Sequence, residues 1–585
     1  MDQKQSEEQL IETMRHSFAH VLAQAVLRRY PDAKLGIGPA VEDGFYYDFE
    51  LPEEVSTSIL PEIEAEMVNI IDEGLPFKQI LIPREQAFDT LHHLGQIFKT
   101  ELLQQVPDDD ISFYKTGEEF IDLCRGPHVT DTSQLQIFKL TDIGKTNWLG
   151  DKSRPTMVRI HGVAFAAKKE LEQYLDQQKE LQKRDHKRLG KEIGIFLFDK
   201  EISDTLPVLL SRGKTLKENI KSYVHKLVSQ NGYQFVETPE LAKQSLFTAS
   251  GQLNYQEGKL LPVMQAYGDD YRLRNENFGE IIQIFKSKKR SYKELPLKLS
   301  EFAVNYTNTP ISALDGLIST RRSSSDSHFV FTTKDSLVEE VGSVIKMMTD
   351  LSKAFGFKDY RFEMVVPYSD QRESYMGTEQ DWKEGIWYLE KALSELKIVA
   401  RTIDGDTSYF GPQIQIIVKD IFKREWSLSD LTLDVILPKL LNLKYITHKS
   451  EDETPAIIHH HLLGSIERFI GLMIEQNGGA FPTWLAPTQV KIIPISQKFN
   501  IEAKSLLVKL IDLGIRAELD IRDETMQSKI RDAQIEKIPY MLIMGEKEVK
   551  TNSISVRPRS GNDLGLMRLE EFLHRLSEEI TTKSN

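Results

Sequence analysis

Apolar residues recur every three or four positions between Ser6 and Arg29, at Leu10, Met14, Phe18, Val21, Leu22, Ala25 and Val26. This period predicts an amphipathic helix. His16 and His20 stand four residues apart in the same stretch, so the predicted helix places both imidazoles on one face. A second helix is predicted from Leu60 to Asp72.

Turn residues and alternating patterns predict strands in the rest of the first 190 residues. Gly36-Ile37-Gly38-Pro39 marks a turn, and the aromatic alternation in Gly44-Phe45-Tyr46-Tyr47-Asp48-Phe49 predicts a strand. Further strands are predicted around Gln79–Ile82 and Val158–Phe165. The highly charged stretch from Lys168 to Lys191 predicts a solvated helix that connects two domains.

Strand and helix patterns alternate after Thr488. The predicted order is strand, helix, strand, helix, strand, over Val490–Ile495, Ile501–Leu513, Ile515–Asp520, Met526–Gln534 and Pro539–Met544. This alternation predicts an α/β unit at the C-terminus.

Length and composition restrict the class of protein. At 585 residues the chain is too long for one core, which predicts three or four domains, and 40% hydrophobic with 28% charged residues is typical of a globular protein. No apolar run approaches the roughly 18 residues of a membrane span, and the polar N-terminus has no signal peptide, so we expect a cytoplasmic protein without a membrane partner. The net charge of −14 argues against a nucleic-acid-binding surface over the whole protein, but not against local basic patches.

Cys124 is the only cysteine in the chain, which excludes an internal disulfide and any zinc site with several cysteines. His128 follows it at the same spacing that separates His16 from His20. Nitrogen and sulfur side chains in this pattern occur in catalytic and in metal-binding sites. The structural alternative is that the two histidines are polar residues of a half-buried helix and that Cys124 is a small core residue.

Five short motifs occur in the order seen in bacterial threonyl-tRNA synthetases: His16-Ser17-Phe18-Ala19-His20, Gly36-Ile37-Gly38-Pro39, Gly44-Phe45-Tyr46-Tyr47-Asp48, Cys124-Arg125-Gly126-Pro127-His128 and Lys183-Arg184-Asp185-His186. The chain resembles this family over nearly its whole length, although the small ubiquitin-like domain that usually comes first is absent. The resemblance implies an α+β multidomain fold with three parts. These are an α+β editing domain with a helical linker (1–190), a class II synthetase antiparallel-sheet domain flanked by helices (191–487), and a C-terminal α/β anticodon-binding domain (488–585).

By this resemblance, the first domain hydrolyses serine that was attached to threonine tRNA in error. Ester hydrolysis needs a positioned water, a proton acceptor and stabilisation of the oxyanion, and imidazoles provide the first two near neutral pH. The predicted catalytic set is the tetrad formed by His16, His20, Cys124 and His128. The same tetrad could instead hold a catalytic zinc ion, as related alanyl-type domains do. The threonyl-type domain works without one, so the resemblance implies no metal and no cofactor for editing.

Asp122 and Lys99 match two further family positions. The resemblance implies that they orient the tRNA end or the amino acid. A salt-bridging role at the surface is the structural alternative for each.

The middle domain retains the class II framework. Gly232–Pro239 matches the first class II motif, which is the dimer-interface element and implies a homodimer. Glu301-Phe302 leads into the second motif, Tyr409–Pro412 is recognisable, and Gly464–Phe469 matches the third motif.

The ligand-contacting positions of this domain differ from the family. Thr307-Asn308-Thr309 replaces the Arg-Asn-Glu of the second motif, and a hydroxyl cannot replace a guanidinium at the ATP α-phosphate. The family also holds threonine on zinc through one cysteine and two histidines. Here Asn275–Glu280 replaces the cysteine motif, and Phe329 occupies the second ligand position, with His328 one residue away. His459 alone remains as a remnant of the metal site.

Other positions of this domain support the same interpretation. Around the substrate, the family has lysine, threonine and glutamine where this chain has Gln413, Asp430 and Thr432. Arg321 and Arg468 match arginines that contact ATP, which implies residual nucleotide binding. We therefore expect the ATP and zinc sites to be degraded. The run His459-His460-His461 resembles a metal-binding tract, but three consecutive residues cannot face one ion, so we expect it to be structural.

The last domain matches the family's anticodon-binding domain, including Gly545-Glu546-Lys547-Glu548 and Val556-Arg557-Pro558-Arg559. We predict that its basic side chains contact the tRNA, namely Arg522, Lys529, Arg531, Arg557 and Arg559. The alternative is that they are ordinary solubilising charges.

Three functions fit these observations. The first is an editing factor that binds tRNA(Thr) and hydrolyses seryl-tRNA(Thr) in trans, with little or no adenylate formation. The second is an active threonine–tRNA ligase with an atypical, zinc-free site. The third is a non-enzymatic homologue that binds or senses tRNA.

Overall fold

The computed structural model describes residues 2–151 and 153–583, except for the side chains of residues 2–8. The chain divides into two compact units, residues 1–180 and residues 181–585. The predicted first domain boundary, at residue 190, lies ten residues beyond this division. No helix in the two described ranges combines the length and the apolarity that crossing a membrane requires.

The first unit contains helices packed on antiparallel strands. Its helices are α1 (Asp2–Arg29), α2 (Leu60–Asp72), α3 (Arg84–His93), α4 (Ile97–Gln105) and α5 (Lys168–Arg184), which extends past the division. Its strands are β1 (Lys34–Leu35), β2 (Ala40–Val41), β3 (Gly44–Glu50), β4 (Phe77–Pro83), β5 (Asp110–Thr116), β6 (Phe120–Leu123), β7 (Phe138–Asn147) and β8 (Thr156–Ala164).

Two sheets form in this unit. The first has the order β1-β3-β8-β7, with β2 paired to β3, and the second has the order β4-β5-β6. The apolar stripe of α1, which includes Phe18, Val21, Leu22 and Val26, is fully buried in one core with β3 and α2. This burial fixes the rotation of α1 and therefore the direction in which its histidine face points.

The second unit begins with a class II-like core. Its helices are α6 (His186–Glu192), α7 (Ser211–Gln230), α8 (Gln244–Ala249), α9 (Gln252–Gln256), α10 (Phe278–Lys286), α11 (Leu337–Ala354), α12 (Glu379–Glu395), α13 (Leu437–Leu440) and α14 (Ile466–Asn477). Its strands are β9 (Phe196–Asp199), β10 (Ser203–Leu209), β11 (Gln234–Phe235), β12 (Leu241–Lys243), β13 (Met264–Ala266), β14 (Asp269–Leu273), β15 (Arg290–Ser291), β16 (Leu297–Tyr306), β17 (Arg322–Thr332), β18 (Tyr360–Val366), β19 (Ala400–Asp404), β20 (Gln413–Lys419), β21 (Glu425–Asp434), β22 (Tyr445–Ile446), β23 (Asp452–Glu453) and β24 (Ala456–His461).

An eight-stranded sheet organises this core, in the order β11-β16-β17-β24-β21-β20-β18-β19. The pairings from β16 to β18 are antiparallel, as predicted, whereas the edge strands β11 and β19 run parallel to their neighbours. Helices α7, α11, α12 and α14 contribute buried apolar side chains to the same core as this sheet.

The C-terminal part is the predicted α/β unit. It contains β25 (Val490–Pro494), α15 (Asn500–Asp512), β26 (Ala517–Leu519), α16 (Met526–Ile535), β27 (Tyr540–Met544), α17 (Glu546–Thr551), β28 (Ile554–Pro558), β29 (Gly565–Met567) and α18 (Leu569–Thr582). The sheet order is β26-β25-β27-β28-β29, with parallel pairing among the first three strands and antiparallel pairing after β27.

Most predicted elements are confirmed, and one differs in a physically informative way. The helix from Leu60 to Asp72 has the predicted bounds. The predicted connector from Lys168 to Lys191 is two helices, because Asp185 leaves helical geometry and caps the next helix by accepting from the Arg188 amide.

Candidate active site

The tetrad predicted from the sequence assembles in the first unit. His16 and His20 project from α1, and Cys124 and His128 come from the loop after β6. The Sγ atom of Cys124 lies 3.3 Å from Nε2 of His16 and 3.2 Å from Nε2 of His128. The ring of His128 lies 4.1 Å from that of His20 and 4.3 Å from that of His16, centroid to centroid.

The loop that carries Cys124 and His128 needs a glycine. Gly126 has a φ of +72°, and a Cβ atom there would lie 2.4 Å from the Tyr114 hydroxyl. The Gly126 amide donates to Cys124 Sγ at 3.3 Å. Glycine thus allows the chain to reverse so that residues 124 and 128 both face α1.

Hydrogen bonds fix which nitrogen of His128 carries hydrogen. The Ser17 hydroxyl donates to the Thr13 carbonyl at 2.8 Å, so its oxygen accepts from Nδ1 of His128 at 3.1 Å. A neutral imidazole has one N–H, and therefore Nε2 of His128 is an acceptor that faces Cys124.

The same argument applies to His16. Its Nδ1 lies 3.3 Å from the Pro127 carbonyl oxygen, which can only accept, so Nδ1 carries the hydrogen and Nε2 is an acceptor. Two acceptors therefore face Cys124, whose thiol has one hydrogen. At any moment at least one of the two Nε2 lone pairs is available to another donor.

Burial keeps these groups neutral. It lowers the pKa values of His16, His20 and His128 below their usual value, and it raises the pKa of Cys124 to about 12. At neutral pH the site thus contains neutral imidazoles and a thiol rather than imidazolium ions and a thiolate.

Asp122 and Lys99 form an ion pair beneath the tetrad. Lys99 Nζ lies 2.7 Å from Asp122 Oδ1, and the Tyr47 hydroxyl donates to Asp122 Oδ2 at 2.5 Å. Lys99 is 4% exposed and Asp122 is 2% exposed. A surface salt bridge, the structural alternative for these residues, is therefore wrong, because the strands and α4 enclose both. Asp122 Oδ2 also lies 3.8 Å from Nε2 of His20.

A cavity of about 300 Å³ opens beside the tetrad. It is lined by Gln9, Glu12, Thr13, His16, Pro39, Ala40, Gly126 and Pro127. His16 is the tetrad member among these residues, so it is the imidazole that a molecule in this cavity meets first.

The tetrad could also hold a metal ion, because one ligand atom from each member lies within 4.8 Å of all the others. A second group of this kind in the described residues is Asp185, His186 and Glu475, where His186 Nδ1 lies 2.8 Å from the Glu475 carboxylate. Three imidazoles and one sulfur are a donor set that zinc accepts, so the tetrad is compatible with an ion as well as with a hydrogen-bonded network.

The remnant zinc position in the class II core has different surroundings. His459 lies on β24 in register with Phe329 on β17, and the two rings stack at 4.3 Å with an interplanar angle of 4°. His459 Nε2 lies 3.2 Å from the Ser327 hydroxyl. His459 belongs to neither metal-capable group found among the described residues. The donors present here do not fit the zinc site of the family.

The three consecutive histidines divide between the two faces of β24. His459 and His461 share one face, with ring centroids 4.7 Å apart, and His461 Nδ1 lies 3.1 Å from the Asp430 carboxylate. His460 points the other way and lies 2.7 Å from the Tyr233 hydroxyl. Gln413 and Thr432, on the neighbouring strands, hydrogen-bond to each other at 2.9 Å.

The two predicted nucleotide-contacting arginines donate to backbone carbonyls. Nε of Arg321 donates to the Thr309 carbonyl at 2.9 Å, and Nε of Arg468 donates to the Ile318 carbonyl at 3.0 Å. Burial lowers the pKa of the Arg468 guanidinium. Such a desolvated cation favours an anion next to it.

The five basic residues predicted to contact tRNA have different environments. Lys529 is 5% exposed and donates to the Asp520 carbonyl, and Arg559 donates to the carbonyls of Phe481 and Lys537. Arg522 lies 2.6 Å from the Asp520 carboxylate and 2.8 Å from the Asp532 carboxylate. Arg531 is exposed and Arg557 is half-buried on β28. Arg559 also lines a cavity of about 630 Å³.

Sequence reasoning did not single out the residues that orient the tetrad. Ser17, Pro127 and Tyr47 lie inside the motifs that resemble the family, and this was the available indication of their importance. Their hydrogen bonds join segments that are far apart in sequence, so no local pattern predicts them.

Comparisons with known proteins agree with this architecture. Residues 111–161 match the family described as "Threonyl and Alanyl tRNA synthetase second additional domain", residues 262–477 match "tRNA synthetase class II core domain (G, H, P, S and T)", and residues 489–579 match "Anticodon binding domain". Each matched segment lies inside one of the three predicted domains.

Full-length relatives show the same relationship. The chain is 38% identical over 576 residues to the threonine–tRNA ligase of Clostridium novyi (strain NT) and 35% identical over 576 residues to that of Halalkalibacterium halodurans; each match covers 98% of this chain and 89% of the relative. A crystal structure of the RNA binding domain of threonyl-tRNA synthetase from Cryptosporidium parvum Iowa II is similar to it, with 28% identity, a TM-score of 0.62, and coverage of 68% of this chain and 98% of that one. With its editing-type domain, class II core and anticodon-binding domain, the chain belongs to the threonyl-tRNA synthetase family.

Proposed function

We propose that this protein binds tRNA(Thr) and hydrolyses mischarged seryl-tRNA(Thr) in trans, with little or no adenylate formation. The observation that carries the proposal is the stacking of Phe329 on His459, which puts an aromatic ring where the family has a zinc ligand. The same chain retains all four residues of the predicted tetrad, with Cys124 Sγ 3.3 Å from His16 and 3.2 Å from His128, and one ligand atom of each of the four within 4.8 Å of the others.

His16 is the proton acceptor in this proposal. Its Nε2 lone pair faces the tetrad and its side chain lines the adjoining cavity. A water molecule gives a proton to His16 Nε2 while its oxygen attacks the carbonyl carbon of the seryl ester. The bond from that carbon to the ribose oxygen then breaks, and His16 returns the proton to the ribose oxygen.

Cys124 acts as a hydrogen-bonding thiol and not as a nucleophile, because the high pKa of about 12 leaves little thiolate at neutral pH. Its one hydrogen is shared between His16 and His128. When that hydrogen points to His128, the lone pair of His16 is free for water.

Hydrolysis of purified seryl-tRNA(Thr) by the full-length protein tests the proposal, with threonyl-tRNA(Thr) as the comparison substrate. We expect serine-selective release that is lost in His16→Ala/His20→Ala. His92→Ala is the matched control, since His92 is an exposed histidine of the same unit. Release that persists in the double variant would contradict the role of the tetrad, and tRNA binding without release would favour the non-enzymatic function.

An active threonine–tRNA ligase is the second candidate, and it is favoured by the relatives that are threonine–tRNA ligases and are 35–38% identical over 98% of the chain. ATP–pyrophosphate exchange with threonine separates the two candidates. Robust exchange would establish ligation and remove the proposal of a scaffold-like core.

We also propose a homodimer formed through residues 232–239. The strand β11 in this segment is an edge strand of the eight-stranded sheet, and an edge strand offers backbone groups for pairing. Light scattering on the purified protein tests it, and a monomer at micromolar concentration would contradict it.

A further inference from the structure

His20 is held in a pocket of aromatic rings. It is 2% exposed, and its ring centroid lies 6.4 Å from that of Phe77 and 5.8 Å from that of Phe120. Its Nε2 faces Asp122. Its Nδ1 is buried and has no hydrogen-bond partner within the described part of the chain.

Thr116 lies between the two rings that contact His20. In the β4–β5–β6 sheet, Thr116 is directly opposite Phe77 on one side and Phe120 on the other. Side chains of residues that pair directly point to the same face of a sheet. The Thr116 hydroxyl therefore lies on the face against which His20 packs. Thr116 is fully buried, and its hydroxyl also has no partner among the described residues.

We propose that Thr116 is a positioning residue whose hydroxyl acts as a donor to Nδ1 of His20 through one bridging water molecule, and so keeps the hydrogen of the imidazole on Nε2. The proposal rests on the proposed editing function, because it assigns Thr116 a role in that site.

The groups around His20 determine this direction of the hydrogen bond. Asp122 is ion-paired to Lys99 and accepts from Tyr47, so its carboxylate oxygens face His20 as acceptors. An Nε2–H group towards that carboxylate is electrostatically favourable, whereas a lone pair there is not. Nδ1 is then left as an acceptor and needs a donor.

Gln24 directs its amide nitrogen elsewhere. It lies one helical turn after His20 on α1, and its amide nitrogen donates to the Glu119 carboxylate. The oxygen of its amide is buried and can only accept. The Thr116 hydroxyl both donates and accepts, so it can satisfy Nδ1 of His20.

This assignment gives the three histidines different roles. Nε2 of His16 and of His128 are acceptors, fixed by Pro127 and Ser17. Nε2–H of His20 is a donor. The site then contains two imidazole acceptors for a proton from water, and a third imidazole whose hydrogen is directed at the buried Asp122 carboxylate.

Nitrogen-15 NMR of the full-length protein, labelled in histidine, reports the tautomer of each ring independently of catalysis. The His20 signals are assigned by comparison with His20→Gln. We expect Nε2–H at His20 in the wild type and in Thr116→Ser, and a mixture of tautomers in Thr116→Val, which has the same shape without the hydroxyl. Nδ1–H at His20 in the wild type would overturn the proposal, and this outcome does not depend on the folding of a Thr116 variant.

Kinetics provide the second readout. We expect Thr116→Val to lower kcat for seryl-tRNA(Thr) by about tenfold, the order of effect of one hydrogen bond, with little change in KM. Thr116→Ser should restore kcat. A valine variant with wild-type kcat would contradict the proposal. If the wild-type protein shows no deacylation but its His20 tautomer depends on Thr116, the proposed function fails while this hydrogen bond stands.

Discussion

Replacing Lys99 with methionine should strongly destabilise the region around the tetrad. The substitution retains most of the length of the side chain and removes its charge. It leaves the Asp122 carboxylate buried at 2% exposure, with the Tyr47 hydroxyl as its remaining close donor. The loss of stability thus measures how much the buried Asp122 carboxylate depends on the Lys99 ammonium group.

The magnitude follows from burial. Removing one partner of a buried ion pair costs about 3–5 kcal/mol, because an uncompensated charge stays in the interior. At about 1.4 kcal/mol for each factor of ten, amides that open with this region should exchange on the order of 10²–10³ times faster. The matched control is Glu62→Gln, which breaks an ion pair of 2.7 Å to Arg29 in which both side chains are more than half exposed. An exposed ion pair contributes only about 0–1 kcal/mol to stability.

Hydrogen exchange of the full-length protein, followed by mass spectrometry over α4 and β6, is the assay, because it reports local opening without assuming that the whole chain unfolds at once. The double variant Lys99→Met/Asp122→Leu removes both charges and should recover much of the lost protection. The reasoning is refuted if Lys99→Met exchanges like Glu62→Gln, or if the double variant is less protected than Lys99→Met.

Three further predictions follow from the electrostatics of the site and the core. Burial lowers the pKa of His16 below 6.5, so this proton acceptor is already neutral at pH 7. We therefore expect kcat/KM for deacylation to be constant around pH 7 and to fall only as the pH decreases through the lowered pKa of His16. A profile that still rises above pH 7 would contradict this. Burial raises the pKa of Cys124 to about 12, so the wild-type thiol should react slowly with iodoacetamide at neutral pH. The Cys124→Ser variant should retain deacylation within about tenfold of the wild-type rate. A trapped covalent seryl adduct on Cys124 would refute its role as a hydrogen-bonding thiol. Phe329→His adds one nitrogen donor beside His459, but it adds neither the cysteine nor the second-motif arginine of the family. We therefore expect no stoichiometric zinc at this position, measured by mass spectrometry of the metal, and no pyrophosphate exchange.

The sequence predicted those parts of the site that depend on local periodicity. The spacing of His16 and His20 placed them on one face of a helix. This result follows from the geometry of a single element. The helix from Leu60 to Asp72 was predictable for the same reason.

The parts that the sequence left open depend on contacts between distant segments. The bond from Ser17 to His128 spans 111 residues, and no local pattern specifies it. Asp122 and Lys99 were equally compatible with a surface position, because a charged residue in a sequence does not show whether its partner lies beneath the surface. Only the packing of β6 and α4 places both in the interior.

Under the proposed function the class II core is retained for its fold, and its aromatic packing supports this. Phe329 packs on His459, and Phe278, which lies within the segment Asn275–Glu280, packs against Phe410 with 5.1 Å between ring centroids. Losing polar ligands without replacement would leave cavities, at a cost that grows with their volume. Aromatic rings fill this space instead, and both phenylalanines are at most 2% exposed. Intact packing at these positions is what the proposed scaffold role of the core requires. The last segment of the core also contacts the anticodon-binding domain, because Arg516 of that domain donates hydrogen bonds to the carbonyls of Trp484 and Ala486. The folded core thus positions the domain proposed to bind tRNA, which gives a reason to retain it without adenylate formation.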